Sequence, residues 1–161
     1  RLAVVERHVR RIEALVLESY RRLLRKRRLV SGLTIDPGSF ALTLYGHDGS
    51  PLSPERLSAG ERQLLATALL WGLARALGRA LPTAIDTPLG RLDGDHRALL
   101  VERYFPHTSH QVLLLSTDEE IVGGRLERLR PHVGRCYHVA FDEAAGCSRI
   151  GPGYFGRREA A

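Results

Sequence analysis

The chain has 161 residues, 43% of them hydrophobic and 26% charged, which are the proportions of an ordinary globular domain large enough to bury a core. Its net charge is +6, carried almost entirely by arginine because Lys26 is the only lysine. No apolar run of roughly 18 residues and no secretion signal occurs, so we predict a cytoplasmic protein without a membrane span. Since the sequence begins at Arg1 and contains no methionine, we expect a fragment of a longer protein or an engineered chain.

The first predicted element is a helix over residues 1–29. Its apolar positions alternate at spacings of three and four residues, which is the seam of a coiled coil, and they are Leu2, Val5, Val9, Ile12, Val16 and Leu23, with Ser19 in the same register. We expect this stripe to need a partner helix outside the domain. The basic run over residues 21–28 predicts either nucleic-acid contact or a solvated helix end favoured by the helix dipole.

Two short segments then alternate with period two on either side of Pro37 and Gly38, at residues 33–36 and 40–45. This pattern predicts a β-hairpin, followed by a turn over residues 46–51. A long helix over residues 62–77 is apolar on most sides, and we therefore predict that it is buried, with Trp71 in the core.

The second half of the chain alternates apolar strands with helices. The predicted elements are a strand over 81–86, a helix over 94–104, a strand over 111–116 buried on both faces, a helix over 119–129, and a closing hairpin of 133–141 with 147–150. The predicted fold class is therefore α/β, with a mainly parallel sheet flanked by helices and a β-hairpin at each end.

Metal chemistry of the zinc type is not predicted. Cys136 and Cys147 lack a Cys-x-x-Cys spacing, and we expect both to be free, buried thiols. The histidines show no ligand spacing either, and we expect surface or structural positions for His96, His107, His110, His132 and His138.

A candidate phosphate site lies where the long helix begins. Ser58 offers a hydroxyl, and Ala59 and Gly60 leave first-turn N–H groups open to an anion. The same residues are compatible with an ordinary helix cap, in which Glu61 is a first-turn carboxylate that stabilises the helix dipole.

Two strands end in polar side chains that we expect at one rim of the sheet. Asp86 ends the first strand, and Ser116, Thr117 and Asp118 follow the second. Ligands of open α/β sheets bind outside the carboxyl ends of the strands, and a carboxylate beside phosphates commonly holds Mg²⁺. Asp93, seven residues after Asp86, is a further candidate that could equally be a helix N-cap.

In this order and spacing the segments resemble the motifs of ABC ATPases. Residues 57–61 resemble the signature loop, residues 85–88 the Walker B strand, residues 90–93 the D-loop, and residues 116–120 the switch-histidine loop. With the heptad helix before them, they resemble ABC ATPases of the SMC type, whose heads are built from the two chain ends.

The sequence of these segments resembles one family in particular, the DndD ATPases of bacterial DNA phosphorothioate (sulfur) modification. The runs that carry this resemblance are residues 56–63, 85–93 and 111–118, and the likeness extends from about residue 29 to 155. It implies that residues 1–29 are a coiled-coil stub and residues 30–161 the C-terminal lobe of the head. An N-terminal P-loop lobe of the same protein, a second head, DNA and other sulfur-modification proteins are the implied partners.

The resemblance also implies the roles of single residues. Two heads would enclose ATP and Mg²⁺, with Asp86 as the metal ligand. Asp93 would contact the second head, and Arg91 would contact phosphate or the second head, or form a surface ion pair. The nucleotide held by the opposite head would be bound by Ser58, Ala59, Gly60 and Glu61.

Three departures from the ABC pattern affect the expected mechanism. Thr87 replaces the usual glutamate after the Walker B aspartate, and Thr117 replaces the switch histidine, so we expect slow hydrolysis assisted by Asp118, Glu119 or Asp93. No Gly-x₄-Gly-Lys-Ser/Thr motif occurs, so we expect residues 1–161 alone to bind ATP weakly and to be inactive. A DNA-repair ATPase of the SbcC type and a non-catalytic, ATP-gated DNA clamp are the alternatives.

Overall fold

The computed structural model of the protein describes residues 2–25, 29–78, 81–90 and 92–154. Its helices are α1 (Leu2–Leu23), α2 (Ala59–Leu77), α3 (Gly94–Arg103) and α4 (Gly124–Leu129). Its strands are β1 (Gly32–Ile35), β2 (Leu42–Tyr45), β3 (Pro51–Leu52), β4 (Thr83–Asp86), β5 (Val112–Leu115), β6 (Tyr137–Asp142) and β7 (Cys147–Pro152). Single 3₁₀ turns occur at Pro54–Arg56 and Arg130–His132.

Helix α1 ends at Leu23 and is therefore shorter than the predicted helix over residues 1–29. The Arg21 guanidinium donates to the carbonyls of Val30 and Ser31, so it fastens the returning chain to the last turn of the helix. Like charges along the basic run also oppose continuation of a helix. Arg1 and residues 26–28, the last three of that run, lie outside the described residues.

Most of the apolar stripe of α1 packs against α2 of the same chain. The expectation of a partner helix outside the domain is therefore corrected. Val16, Ser19 and Leu23 are fully buried, and α1 packs mainly against α2. The axes approach closely at Gly72, where a Cβ would lie 2.7 Å from the Val16 Cα. Val5, near the beginning of the stripe, is exposed.

The prediction that α2 is buried on most sides is correct for one side only. Its packed side carries Leu64, Leu65, Ala68, Trp71 and Gly72. Trp71 stacks edge-on against Tyr104 with ring centroids 5.3 Å apart, which confirms its place in the core. The opposite side exposes Leu70, Leu73 and Leu77.

The strands form three small sheets. The predicted first hairpin is confirmed: β1 and β2 are antiparallel, with Leu33 opposite Leu44, and β3 adds a third strand where the sequence predicted only a turn. Strands β4 and β5 are parallel, with Asp86 opposite Leu115. The predicted α/β class with terminal hairpins is confirmed, although within the described ranges the parallel sheet has two strands.

The β4–β5 sheet is covered on one face, so the prediction of burial on both faces is wrong for the part of the chain described. Ile85 and Leu114 pack against the core. Leu113 and Leu115, on the other face, are 55% and 50% exposed. The sequence pattern predicted apolar side chains on both faces correctly, but a sheet face also needs a second layer to cover it.

The C-terminal part differs from its prediction in two details. Helix α4 begins at Gly124 rather than at Glu119, because residues 118–120 form a turn and Gly123 adopts φ +56°. The closing hairpin β6–β7 is confirmed, and it exposes four apolar side chains, namely Tyr137, Val139, Phe141 and Ile150. Cys147 is exposed and not buried as expected. None of the described helices combines the length and hydropathy that crossing a membrane requires.

Candidate functional site

The loop before α2 forms a capping box. The Ser58 Oγ accepts a hydrogen bond from the Glu61 N–H at 3.2 Å, and a Glu61 carboxylate oxygen accepts one from the Ser58 N–H at 2.8 Å. The structure thus shows the helix cap that the sequence left open as an alternative. Glu61 takes part in this cap and also places a negative charge in the first turn of α2. The N–H groups of Ala59 and Gly60 still point out of the helix end, because the first turn of an α-helix contains no acceptors for them.

A cleft of about 410 Å³ opens in front of this helix end. Two arginines and two carboxylates give it mixed charge, and its lining residues are Arg25, Arg56, Leu57, Ser58, Glu61, Asp93 and His96. Arg25 is already paired with Asp95, on the first turn of α3. The cleft is therefore polar, of mixed charge and open to solvent.

Asp93 lies across the cleft from Ser58 and caps α3. One of its oxygens accepts from the His96 N–H at 2.9 Å, and the other contacts the His96 Nδ1 at 2.9 Å. The backbone hydrogen bond from His96, followed by the nearby His96 and Arg25 charges, lowers the pKa of Asp93. A Cβ at Gly60 would lie 3.6 Å from Leu92 and 3.7 Å from the His96 Nδ1. The Ser58 loop and the segment around Asp93 are thus in direct contact.

A second cluster lies at the end of the parallel sheet, around Asp86. The Thr87 N–H donates to the Leu115 carbonyl at 2.9 Å, which ties the ends of β4 and β5 together. The Thr87 hydroxyl donates to an Asp86 carboxylate oxygen at 3.2 Å, and the exposed carboxylate keeps further lone pairs for a cation. Thr87 has φ +47°, a left-handed conformation that is costly for a β-branched residue.

The loop after β5 is held by Tyr154, the last residue that the structure describes. The Ser116 hydroxyl and the Tyr154 hydroxyl are 2.8 Å apart, and the Tyr154 hydroxyl also donates to the Thr117 carbonyl at 3.3 Å. Burial raises the pKa of Tyr154. The side chains of Thr117 and Asp118 are exposed beside it.

Comparisons with solved structures show the fold. A structure from work on ATP-driven dimerisation and DNA-stimulated activation of SMC ATPases superposes with a TM-score of 0.67 at 14% identity, covering 94% of this chain and 89% of the other. The Smc head domain of Pyrococcus yayanosii, with its coiled coil and joint, superposes with a TM-score of 0.63 at 16% identity, covering 91% of this chain and 27% of the other. This chain has the fold of an SMC/Rad50-like ATPase head.

One sequence relative of the head fold supports the same conclusion. The DNA double-strand break repair Rad50 ATPase of Halobacterium salinarum is 31% identical over 123 residues, in a match that covers 70% of this chain. The chain spans only 13% of the length of that protein. No protein-family model matches the sequence.

Within the head fold, the predicted site residues form two clusters. Ser58, Ala59, Gly60 and Glu61 lie with Asp93 at the cleft, and Asp86 and Thr87 lie with Thr117 and Asp118 at the sheet end. Arg91 lies outside the described residues. Among the histidines that the structure describes, His96 lines the cleft, and it is a buried structural residue.

Two residues of the site were missed by the sequence analysis. Tyr154 was assigned no chemistry, and no local pattern connects it with Ser116, 38 residues away. Glu120 was not singled out, although Thr117-x-x-Glu120 has the spacing of a capping box. Its carboxylate accepts from the Thr117 N–H at 3.1 Å and from the Leu89 N–H at 2.9 Å.

Proposed function

We propose that this chain is the C-terminal lobe of an SMC/Rad50-like ATPase head, which dimerises on ATP and hydrolyses it. In this assignment residues 1–29, of which α1 ends at Leu23 and packs against α2, are the stub of a coiled coil, and residues 30–161 form the lobe. The observation that carries the proposal is the contact between the Ser58 loop and the Asp93 segment at one cleft, within a head fold.

The Ser58 loop serves nucleotide held by a second head. The Ser58 Oγ accepts from Glu61, so its proton remains available to donate to a phosphate oxygen. The N–H groups of Ala59 and Gly60 add two donors at the positive end of the helix dipole. Glu61 keeps these donors in place through the capping box, and Asp93, beside them, contacts the opposite head.

The sheet-end cluster carries the hydrolytic chemistry. The exposed Asp86 carboxylate suits Mg²⁺, which is usually held by one or two carboxylates together with substrate phosphates. The metal would neutralise charge that develops on those phosphates. The hydroxyls of Thr87 and Thr117 orient water or a phosphate oxygen. Because neither can accept a proton as a carboxylate does, we expect slow turnover, assisted by Asp118, Glu119 or Asp93.

The exposed apolar faces fit an N-terminal P-loop lobe of the same protein. A two-stranded parallel sheet with Leu113 and Leu115 uncovered is incomplete as an α/β layer. The apolar face of β6–β7 is a second uncovered surface, and large apolar patches of this kind mark interaction sites. Both surfaces would be buried when the head is complete.

Two processes remain candidates for the intact protein, which we place in the cytoplasm. The sequence around Asp86-Thr87-Pro88 favours DNA phosphorothioate modification, in which DNA and the other sulfur-modification proteins are partners. The identity with a Rad50 ATPase favours DNA repair of the Rad50/SbcC type. Loss of phosphorothioate linkages from genomic DNA after deletion of the gene supports the first process, whereas sensitivity to double-strand breaks with linkages intact supports the second.

The test of the core proposal is Ser58→Arg in the intact protein. An arginine at this position fills the space at the helix end, so we expect ATP-dependent dimerisation to be lost while ATP binding by each head persists. Size-exclusion chromatography with and without ATP measures the first, and calorimetry the second. Ser53→Arg is the matched control, because Ser53 caps a neighbouring 3₁₀ turn and does not line the cleft.

Retained dimerisation in Ser58→Arg contradicts the assignment of the loop. An intact protein that dimerises on ATP but releases no phosphate, with or without DNA, is an ATP-gated clamp and not an enzyme.

A further inference from the structure

The carboxylate of Glu120 joins the two loops of the sheet-end cluster. Glu120 is only 7% exposed, and each of its oxygens accepts one backbone N–H. The Leu89 N–H, in the loop after β4, donates at 2.9 Å, and the Thr117 N–H, in the loop after β5, donates at 3.1 Å. Charged acceptors make hydrogen bonds about twice as strong as neutral ones, so this bridge is a firm contact between two loops 28 residues apart in the sequence.

Glu120 is itself held in place from a third direction. The Arg125 guanidinium donates to the Glu120 carbonyl at 2.7 Å and to the Glu119 carbonyl at 3.1 Å. These bonds fix the turn over residues 118–120, and the carboxylate is therefore anchored at its own backbone. A movement of either loop must break a hydrogen bond to this anchored group.

The loop that Glu120 supports on one side is the strained one. Thr87 adopts φ +47°, and the Gly90 N–H donates back to the Thr87 carbonyl at 3.3 Å. The Leu89 N–H lies inside this tight turn, so the bond to Glu120 fastens the turn from within the core. Strained backbone persists only where its surroundings hold it.

We propose that Glu120 is a positioning residue that fixes the distance between the Thr87 loop and the Thr117 loop. The inference rests on the proposed function, because the two threonines are the groups that orient water and phosphate in it. Glu120 touches neither substrate nor metal in this assignment. It acts through the two backbone N–H groups, and it makes the two loops move as one unit.

The chemical reason for a carboxylate at this position is the need for two acceptors. A glutamine has the same shape but offers one acceptor and one NH₂ group, and the NH₂ would face a backbone N–H. Glu120→Gln therefore leaves one of the two N–H groups without its acceptor, which destabilises the link between the loops. Glu127→Gln is the matched control, because Glu127 lies on the nearby helix α4, carries the same charge and has an exposed side chain.

The experiment compares these two variants with the unchanged intact protein. We expect Glu120→Gln to lower the kcat for ATP hydrolysis at least tenfold, with the KM for ATP and ATP-dependent dimerisation within threefold. Glu127→Gln should keep a kcat within about threefold. Glu120→Asp, which keeps the charge but shortens the side chain by one methylene, should show the same selective loss of kcat.

Amide hydrogen exchange measures directly whether the two backbone hydrogen bonds to Glu120 are present. The Leu89 and Thr117 amides should lose protection in Glu120→Gln and in Glu120→Asp but not in Glu127→Gln. A wild-type kcat in both Glu120 variants, or kcat, KM and dimerisation that fall together, overturns the inference. Absence of both ATP binding and ATP-dependent dimerisation in the unchanged protein refutes the proposed function instead, so the two failures are distinguishable.

Discussion

The α1–α2 interface and the β4–β5 sheet are both apolar in sequence, but only the first is closed in the structure. Between the helices, Val16 and Leu64 are fully buried, and Gly72 allows backbone contact. On the open face of the sheet, Leu113 and Leu115 are about half exposed. Apolar periodicity therefore predicts which side of an element must be covered, and it does not predict whether the cover lies in the same chain.

The largest effect is expected from a substitution that tests this contrast on one helix. Leu64→Ala should destabilise the protein by about 3 kcal/mol, because it removes a fully buried side chain and leaves a cavity. Leu70→Ala, on the exposed side of α2, should cost less than about 0.5 kcal/mol in the same lobe without its partners. Equilibrium urea unfolding measures both values.

The two leucines also test the proposed second lobe. In the complete head, a cost for Leu70→Ala that approaches the Leu64→Ala value would show that the open side of α2 becomes buried. Equal costs in the isolated lobe would contradict the closed-versus-open comparison.

A smaller effect is expected where the two helices meet. Gly72→Ala should destabilise by about 2 kcal/mol, since its Cβ would overlap the Val16 backbone, despite the better helix propensity of alanine. Gly124→Ala is the control. Apart from the neighbouring residues and the backbone of its own helix, no atom of the described residues lies within 4 Å of the Cβ position at Gly124, and this variant should be neutral or slightly stabilised. The same unfolding experiment distinguishes a contact effect, with opposite signs at the two glycines, from a general intolerance of alanine.

Features formed by residues close in sequence were predicted better than features that depend on contacts between distant residues. The cap at Ser58, the N-cap at Asp93 and both hairpins involve residues close in sequence, and each was predicted or held open as an alternative. The end of α1 at Leu23 was not predicted, because it depends on hydrogen bonds from Arg21 to carbonyls on the returning chain.

The sheet-end cluster illustrates the same limit for the site. Asp86 and Thr117 were predicted to share a rim because parallel strands end on the same edge. The bridge from Glu120 to Leu89 spans 31 residues, and the contact of Tyr154 with Ser116 spans 38. Contacts over such distances depend on the packing of the whole chain, and no spacing rule in a single sequence predicts them.

The smallest expected effect lies at the edge of the cleft, where α3 begins. Asp93→Ala should cost about 1 kcal/mol through loss of the N-cap, whereas Asp93→Asn should keep the cap and cost a few tenths. The pKa of Asp93 is lowered in the folded protein, chiefly by the His96 N–H. Its ionised form therefore stabilises the fold above the unfolded value of about 3.9, and that contribution is lost as the pH falls through the folded pKa. Unfolding measured from about pH 6 down to about pH 3 should show the difference between wild type and Asp93→Asn shrinking as the pH falls. A difference that stays constant would mean that the charge of Asp93 contributes nothing to the stability of this helix end.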